Sequence, residues 1–397
     1  MLPPETDHTY CWERSKLPML NGDLDPEQCV TSTTTQTDLS MQDIEHWEHE
    51  IKKLRAENDK LKLKPKIDKK QETRSHFSDT VTKNDASAKY FTGLPSVVIL
   101  MGLFNIVKNA CGDITYWNGS DTPAKKRHNI RARKLSMFEE YLMTMVRIRL
   151  GLECKTLSFI FGVHYSTLSK TFTTWINVLY TIVKPTLVWP SRAVVKKHMP
   201  RQFRRRYPET RAIIDCTEVF VKKPMNTQAQ AKTWSSYKSH NTFKALVAVN
   251  PNGAFTFVSS FWSGNVSDRH ITKESGFLDL IEAGDEIMAD RGFTIRDLLL
   301  ERKARLNMPP FTRACASRPK GRKLTSNEIS KTRQIATLRI HVERAIRVLK
   351  NYKILSGNID LSMKPLLDQI LVLCAAFANM QGPLIRDQSV SRAKNTK

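Results

Sequence analysis

The sequence lacks any C-x-x-C pair and any long unbroken apolar run. Its seven cysteines, at 11, 29, 111, 154, 216, 315 and 374, are odd in number and scattered. That pattern excludes a disulfide framework and argues against a zinc module with both cysteine pairs intact. Reduced thiols of the cytosolic or nuclear kind are expected instead. No apolar run approaches the roughly 18 residues that span a bilayer. The opening residues, Met1-Leu2-Pro3-Pro4-Glu5-Thr6-Asp7, do not have the form of a signal peptide. A soluble intracellular protein without a membrane partner is therefore expected. Acidic residues are also scarce, with 39 Asp plus Glu against 63 Lys plus Arg, a formal charge of +24. A surplus of that size calls for a polyanion, and nucleic acid comes first because Lys and Arg on phosphates release counterions.

What is present falls into segments. Residues 1–40 are rich in Thr, Ser, Asp, Gln and Pro and read as disordered. Within 41–62 a heptad pattern places Ile44, Ile51 and Asn58 on one seam position and Trp47, Leu54 and Leu61 on the other. That predicts a short coiled coil, hence a homodimer or higher oligomer, with Asn58 fixing register; a single docked amphipathic helix is the alternative. Residues 63–90 are charged and nearly unpatterned, a linker. Residues 91–185 are helical in pattern, interrupted by a basic run at 123–134 that suits a nuclear import signal, a phosphate-contacting arm or a solvated loop. Between about 134 and 180 the pattern is that of a helix-turn-helix. A short apolar helix meets Gly162, and a second helix starts near Tyr165 with Val163, Leu168 and Phe172 facing inward. Ser166, Thr167 and Lys170 would then face double-stranded DNA, the alternative being a plain three-helix bundle.

Residues 190–385 have the pattern of an α/β domain. Arg211–Val221 is a short apolar, β-branched stretch with Asp215 in its middle. Two further strands, 243–250 and 254–262, are joined by the turn Asn250-Pro251-Asn252-Gly253. A helix from Ser267 to about Ala283 follows, then a strand at 286–289 running into Asp290, then helices near 294–304, 326–352 and 365–379. In the order β-β-β-α-β-α the fourth strand runs parallel to its partner, so Asp215 and Asp290 can converge at the strand ends. On the 326–352 helix, Arg339, Glu343, Arg347 and Lys350 share a face. Elementary chemistry makes Glu343 the partner of an arginine ladder. A buried carboxylate such as Asp215 is costly unless paired or metal-bound. Three carboxylates together suit a hard cation, Mg²⁺ or Mn²⁺. Asp268 competes with Asp290 as the second aspartate, although it also reads as a helix cap.

These residues resemble a known family. Ile214-Asp215-Cys216-Thr217-Glu218, Tyr237-Lys238-Ser239-His240-Asn241-Thr242-Phe243-Lys244 and Gly264-Asn265-Val266-Ser267-Asp268 match its motifs in order. Met288-Ala289-Asp290-Arg291-Gly292-Phe293 and Ile340-His341-Val342-Glu343-Arg344-Ala345-Ile346 follow. The family is the DDE-type endonucleases of Harbinger-type transposases and related bacterial insertion sequences. Arg339, Glu343 and Lys350 also fit an Arg-x3-Glu-x6-Lys signature of one bacterial group, whose tyrosine is Ala336 here. The helix-turn-helix is similar to the one preceding this nuclease in animal elements. The resemblance implies an RNase H-like core in which Asp215, Asp290 and Glu343 are catalytic and hold two metals, Asp215 bridging. Arg347 and Lys350 would hold phosphate, and Arg291 would position Asp290. It further implies cleavage of phosphodiesters, with a domesticated, non-cleaving DNA-binding protein as the alternative, and a nuclear location. Relatives often carry an N-terminal THAP-type zinc finger. Cys11 and Cys29 lack its spacing, so DNA-end recognition would rest on the helix-turn-helix or on an accessory DNA-binding protein. Residues 386–397 form a basic tail.

Overall fold

The computed structural model of the chain describes residues 41–112, 114, 116, 134–310, 324–382 and 384. The N-terminal 1–40, the basic run up to 133, the loop 311–323 and the basic tail lie outside these residues, as do Cys11, Cys29 and Cys315. The chain divides into two units, 1–63 and 64–397. What is described of the first is helical, the beginning of α1 (Met41–Thr82). There Ile51 and Leu54, two of the heptad positions, are exposed in the single chain.

The stretch expected as a linker is not unstructured. Helix α1 continues to Thr82 and α2 (Asp85–Thr92) follows. The reason is a few well-placed apolar residues among the charges. Val81 and Ala88 are fully buried, and Phe77 meets Phe91 and Phe161 edge-on at 5.5 and 5.6 Å between centroids. Among the described residues six more helices precede the sheet: α3 (Val97–Ala110), α4 (Met137–Leu150), α5 (Cys154–Phe161), α6 (Tyr165–Val183), α7 (Arg192–Lys197) and α8 (Arg201–Arg206). Ser136 and Glu139 close a reciprocal cap on α4. Helices α5 and α6 form the expected helix-turn-helix. Gly162 turns the chain at φ 62°, a left-handed conformation that glycine adopts without penalty. Val163, Leu168 and Phe172 are buried.

A mixed sheet follows. Its strands are β1 (Thr210–Phe220), β2 (Trp234–Ser235), β3 (His240–Val249), β4 (Phe255–Val258), β5 (Trp262–Ser263), β6 (Glu286–Met288) and β7 (Arg305–Asn307). They lie in the order β2-β3-β1-β6-β7, with β4 and β5 also paired to β3. The first three long strands are antiparallel, whereas β6 and β7 run parallel to β1. Helices α9 (Thr227–Thr233), α10 (Asp268–Glu274), α11 (Arg296–Glu301), α12 (Ser326–Lys350) and α13 (Lys364–Met380) flank it. This is the mixed, helix-flanked sheet expected of an RNase H-like core. The helix expected as far as Ala283 is shorter, because Gly276 at φ 78° separates α10 from a 3₁₀ turn at Phe277–Leu280.

Residue alternation divides the sheet between two cores. Ala212, Ile214, Leu246 and Ala248 pack with Ile271, Phe277 and Leu299 on one face. Ile213, Val219, Ala245 and Val247 pack on the other with Leu338, Val342, Leu349 and Phe377. That second core is continuous with Tyr141, Leu168 and Trp175 of the helical region, so the helix-turn-helix and the sheet share one interior. Polar ties reinforce it. Arg149 donates to the Asn351 carbonyl at 2.9 Å, and Gln369 donates to Asn177 at 2.8 Å. One stretch, Leu361–Met380, does have the length and composition of a membrane span. Here it is largely α13, whose Leu367, Ile370, Leu371 and Phe377 are core residues.

Candidate active site

Strand register brings the two aspartates together. On the parallel pair β1 and β6, Ile213 stands opposite Met288. Two residues further on come Asp215, on the same face of β1 as Ile213, and Asp290, just past the end of β6. That face is covered by α12. Its Leu338, Val342, Ala345 and Leu349 are buried, each Leu or Val contributing roughly 1.5–3 kcal/mol. Beside that stripe, at i, i+4, i+7 and i+11, Arg339, Glu343, Ile346 and Lys350 line a cavity of about 660 Å³ together with both aspartates. Arg347 does not line it and is exposed. The helical period carries 347 off the face that 339, 343 and 350 share.

The three carboxylates are held differently. Asp215 Oδ1 accepts the Cys216 backbone N–H at 2.9 Å. Burial raises its pKa to about 6; Arg339 and the Cys216 amide oppose that rise, and Asp290 and Asp268 add to it. Asp290 Oδ1 accepts the Arg291 backbone N–H at 2.8 Å. The side chain that meets Asp290 is that of Arg339. Arg339 Nη1 stands 3.2 Å from Asp290 Oδ1, and Nη2 stands 3.3 Å from Glu343 Oε1. One nearly buried guanidinium thus spans the two outer carboxylates.

A second charge group closes the other side of the cavity. Glu218 and Lys244 are register partners on β1 and β3. Thr242 Oγ1 donates to Glu218 at 2.8 Å. Lys244 Nζ donates to the Val266 carbonyl at 3.2 Å and meets Asp268 Oδ1 at 3.3 Å. Asp268 is therefore engaged by a lysine across β3, while Asp290 shares a cation with Glu343. Both Asp290 and Asp268 line the cavity with Asp215 and act on its carboxyl, but only Asp290 shares its cation with Glu343. Burial and Asp268 keep the Cys216 thiol well above its ordinary range. Burial and Lys238 lower the pKa of Lys350, with Glu218 and Asp215 opposing. Tyr237 and Lys238 complete the rim.

In all, five carboxylates and four cations line the cavity. The donor set is hard oxygen, which fits Mg²⁺ or Mn²⁺. Among the described residues no three His, Cys, Asp or Glu side chains converge as a ready ligand cluster, because Asp290 and Glu343 are turned onto Arg339. Sequence reasoning saw Arg339 as a helix neighbour of Glu343 but missed its reach to Asp290, which only the packing of α12 on the sheet creates. The Glu218–Lys244 pair was also missed, because α9 and β2 lie between β1 and β3 and no tight turn sets their register. In the helix-turn-helix, Ser166, Thr167 and Lys170 are exposed at the start of α6. The Ser166 backbone N–H donates to His164 Nδ1 at 3.3 Å, capping the helix.

Residues 214–379 match the family model described as DDE superfamily endonuclease. Residues 133–185 match that of the helix-turn-helix of DDE superfamily endonuclease. No curated protein and no solved structure gives a match.

The raised pKa of Asp215 has a thermodynamic consequence. A carboxyl whose folded pKa, about 6, exceeds its ordinary value of 3.8 adds stability below the lower value and loses it as pH rises through the upper. In metal-free buffer at pH 7, Asp215→Asn is therefore expected to stabilise the protein by about 2–3 kcal/mol. The gain should vanish below about pH 4. Chemical denaturation across that range checks it, and an Asn variant that is less stable at pH 7 contradicts it.

Proposed function

This chain is a DDE transposase-like protein, carrying that family's helix-turn-helix and endonuclease modules in order, and on that premise we propose that it cuts DNA in a metal-dependent reaction at the Asp215, Asp290 and Glu343 cavity. The observation that carries this reading is the register of β1 and β6, which sets Asp215 beside Asp290 under the α12 face that bears Glu343.

Asp215, Asp290 and Glu343 would hold Mg²⁺ or Mn²⁺. When bound, such ions activate water or a DNA 3′-hydroxyl and neutralise charge at the scissile phosphate. The chain's own residues do the rest. Lys350, Lys238 and Lys244 line the same cavity and would draw the DNA backbone into it. Arg339, which now meets Asp290 and Glu343, would be available to phosphate if those carboxylates held a metal. Ser166, Thr167 and Lys170 would contact double-stranded DNA and fix where the cut falls, alone or with an accessory DNA-binding protein, and Arg347 would add a backbone contact outside the cavity. A nuclear location follows from the substrate. Residues 44–61 would join two chains, since Ile51 and Leu54 are exposed in one.

A non-cleaving DNA-binding descendant of a transposase is the second reading. The Arg339 bridge favours it, because that bridge engages two of the three carboxylates.

Supercoiled plasmid incubated with Mg²⁺ or Mn²⁺ separates the two readings. The nuclease reading expects nicking that Asp215→Ala, Asp290→Ala and Glu343→Ala each reduce by at least about 100-fold, while Asp268→Ala stays within roughly tenfold of wild type. DNA binding without nicking, and no difference between wild type and Asp215→Ala, would sink it. For the pairing of chains, Asn58→Ile is expected to change the oligomeric state in light scattering. An unchanged mass would count against a coiled coil.

A further inference from the structure

The turn between β2 and β3 holds an aromatic ring out of the fold at the rim of the carboxylate cavity. Tyr237 lines that cavity and is nevertheless 83% exposed. Lys238 Nζ lies 4.4 Å from its ring centroid. Lys238 and Lys350 line the same cavity.

The turn is built to keep the ring there. Strand β2 pairs with β3, Trp234 opposite Asn241 and Ser235 opposite His240. The Lys238 backbone N–H donates to Ser235 Oγ at 3.3 Å. Ser239 sits at φ 51°, a left-handed conformation uncommon for serine. Below it, Asn241 Nδ2 donates to the Gln230 carbonyl and to Thr233 Oγ1 at 2.9 and 2.8 Å. A ring left in water contributes little to the core, so this fixed presentation has no stabilising purpose in the isolated chain.

A flat, water-exposed ring with one ammonium group against it and a second lining the same cavity matches the two parts of a nucleotide. A base stacks on the ring, and the adjoining phosphates meet the lysines. In an intact duplex each base is already stacked on both faces, so only a base that has left the helix can use the ring. We propose that Tyr237 stacks on a nucleobase displaced from the duplex beside the phosphate held at the carboxylates. The substrate favoured by this chain is then DNA with an unpaired base at that position. This inference rests on the reading of the cavity as the DNA-cutting site.

The test measures binding alone. Wild-type protein in EDTA is titrated with a duplex carrying one unpaired 2-aminopurine and with the same duplex fully paired. The unpaired duplex is expected to bind tighter, on the order of tenfold, with the quenched fluorescence of a stacked base. Tyr237→Ala should lose both the preference and the quench, whereas Tyr237→Phe and Tyr237→Trp keep them. Lys238→Gln should weaken both duplexes alike. Because the ring is exposed, the variants should melt with the wild type. An unpaired-to-paired affinity ratio in Tyr237→Ala equal to that of wild type would overturn the proposal. A protein that shows the Tyr237-dependent preference but never nicks DNA would leave the stacking role standing and refute the nuclease.

Discussion

Arg339 is the charge on which the site depends. It reaches Asp290 and Glu343 at 3.2 and 3.3 Å from one guanidinium, and its field opposes the burial-driven rise in the pKa of Asp215. Two carboxylates about 5 Å apart repel by roughly 3 kcal/mol at an effective dielectric near 20. The repulsion is smaller here, because Asp290 and Glu343 are each half exposed. Without a cation between them the like charges would push the two side chains apart. Arg339 supplies that cation, and it is positioned by the neighbouring Leu338 and Val342, which are buried against the sheet.

The same core ties the site to the helical region. Arg149 lies over the Tyr352 ring at 5.4 Å, and the Tyr352 hydroxyl donates to the Gly93 carbonyl at 3.3 Å. Tyr352 follows directly on α12, so the helix that carries Arg339 and Glu343 ends against the helices that precede the sheet. The exposed start of α6 and the carboxylate cavity therefore belong to one packed body with a shared interior. A DNA duplex gripped at α6 would be presented to a site whose position relative to that grip is fixed by packing.

Much of this was legible in the sequence. β-Branched runs, a strong hairpin turn and the offset between Asp215 and Asp290 predict the meander, the parallel fourth strand and the convergence of the aspartates. Gly162 between two amphipathic stretches predicts the helix-turn-helix. The rest was not legible because it depends on contacts between distant segments. Phe77 and Val81 are ordinary residues in a charged stretch until Phe91 and Phe161 are seen against them. Arg347 has the spacing of a ladder partner, yet the turn of the helix sets it outside the cavity. Arg339 reads as a helix neighbour of Glu343, and its second contact exists only once α12 lies on the sheet. Tyr237 is one residue of a matched motif in the sequence, and its exposure at the cavity rim is seen only in the fold.

Asp215, Asp290 and Glu343 would act as one cation-binding group that Arg339 neutralises when no metal is present. Titration of Mn²⁺ into the metal-free protein, followed by electron paramagnetic resonance, is the decisive measurement. Mn²⁺ binding is expected that each of Asp215→Ala, Asp290→Ala and Glu343→Ala weakens, and that Arg339→Gln strengthens by removing the competing charge. Equal Mn²⁺ binding by the wild type and all four variants would contradict that grouping.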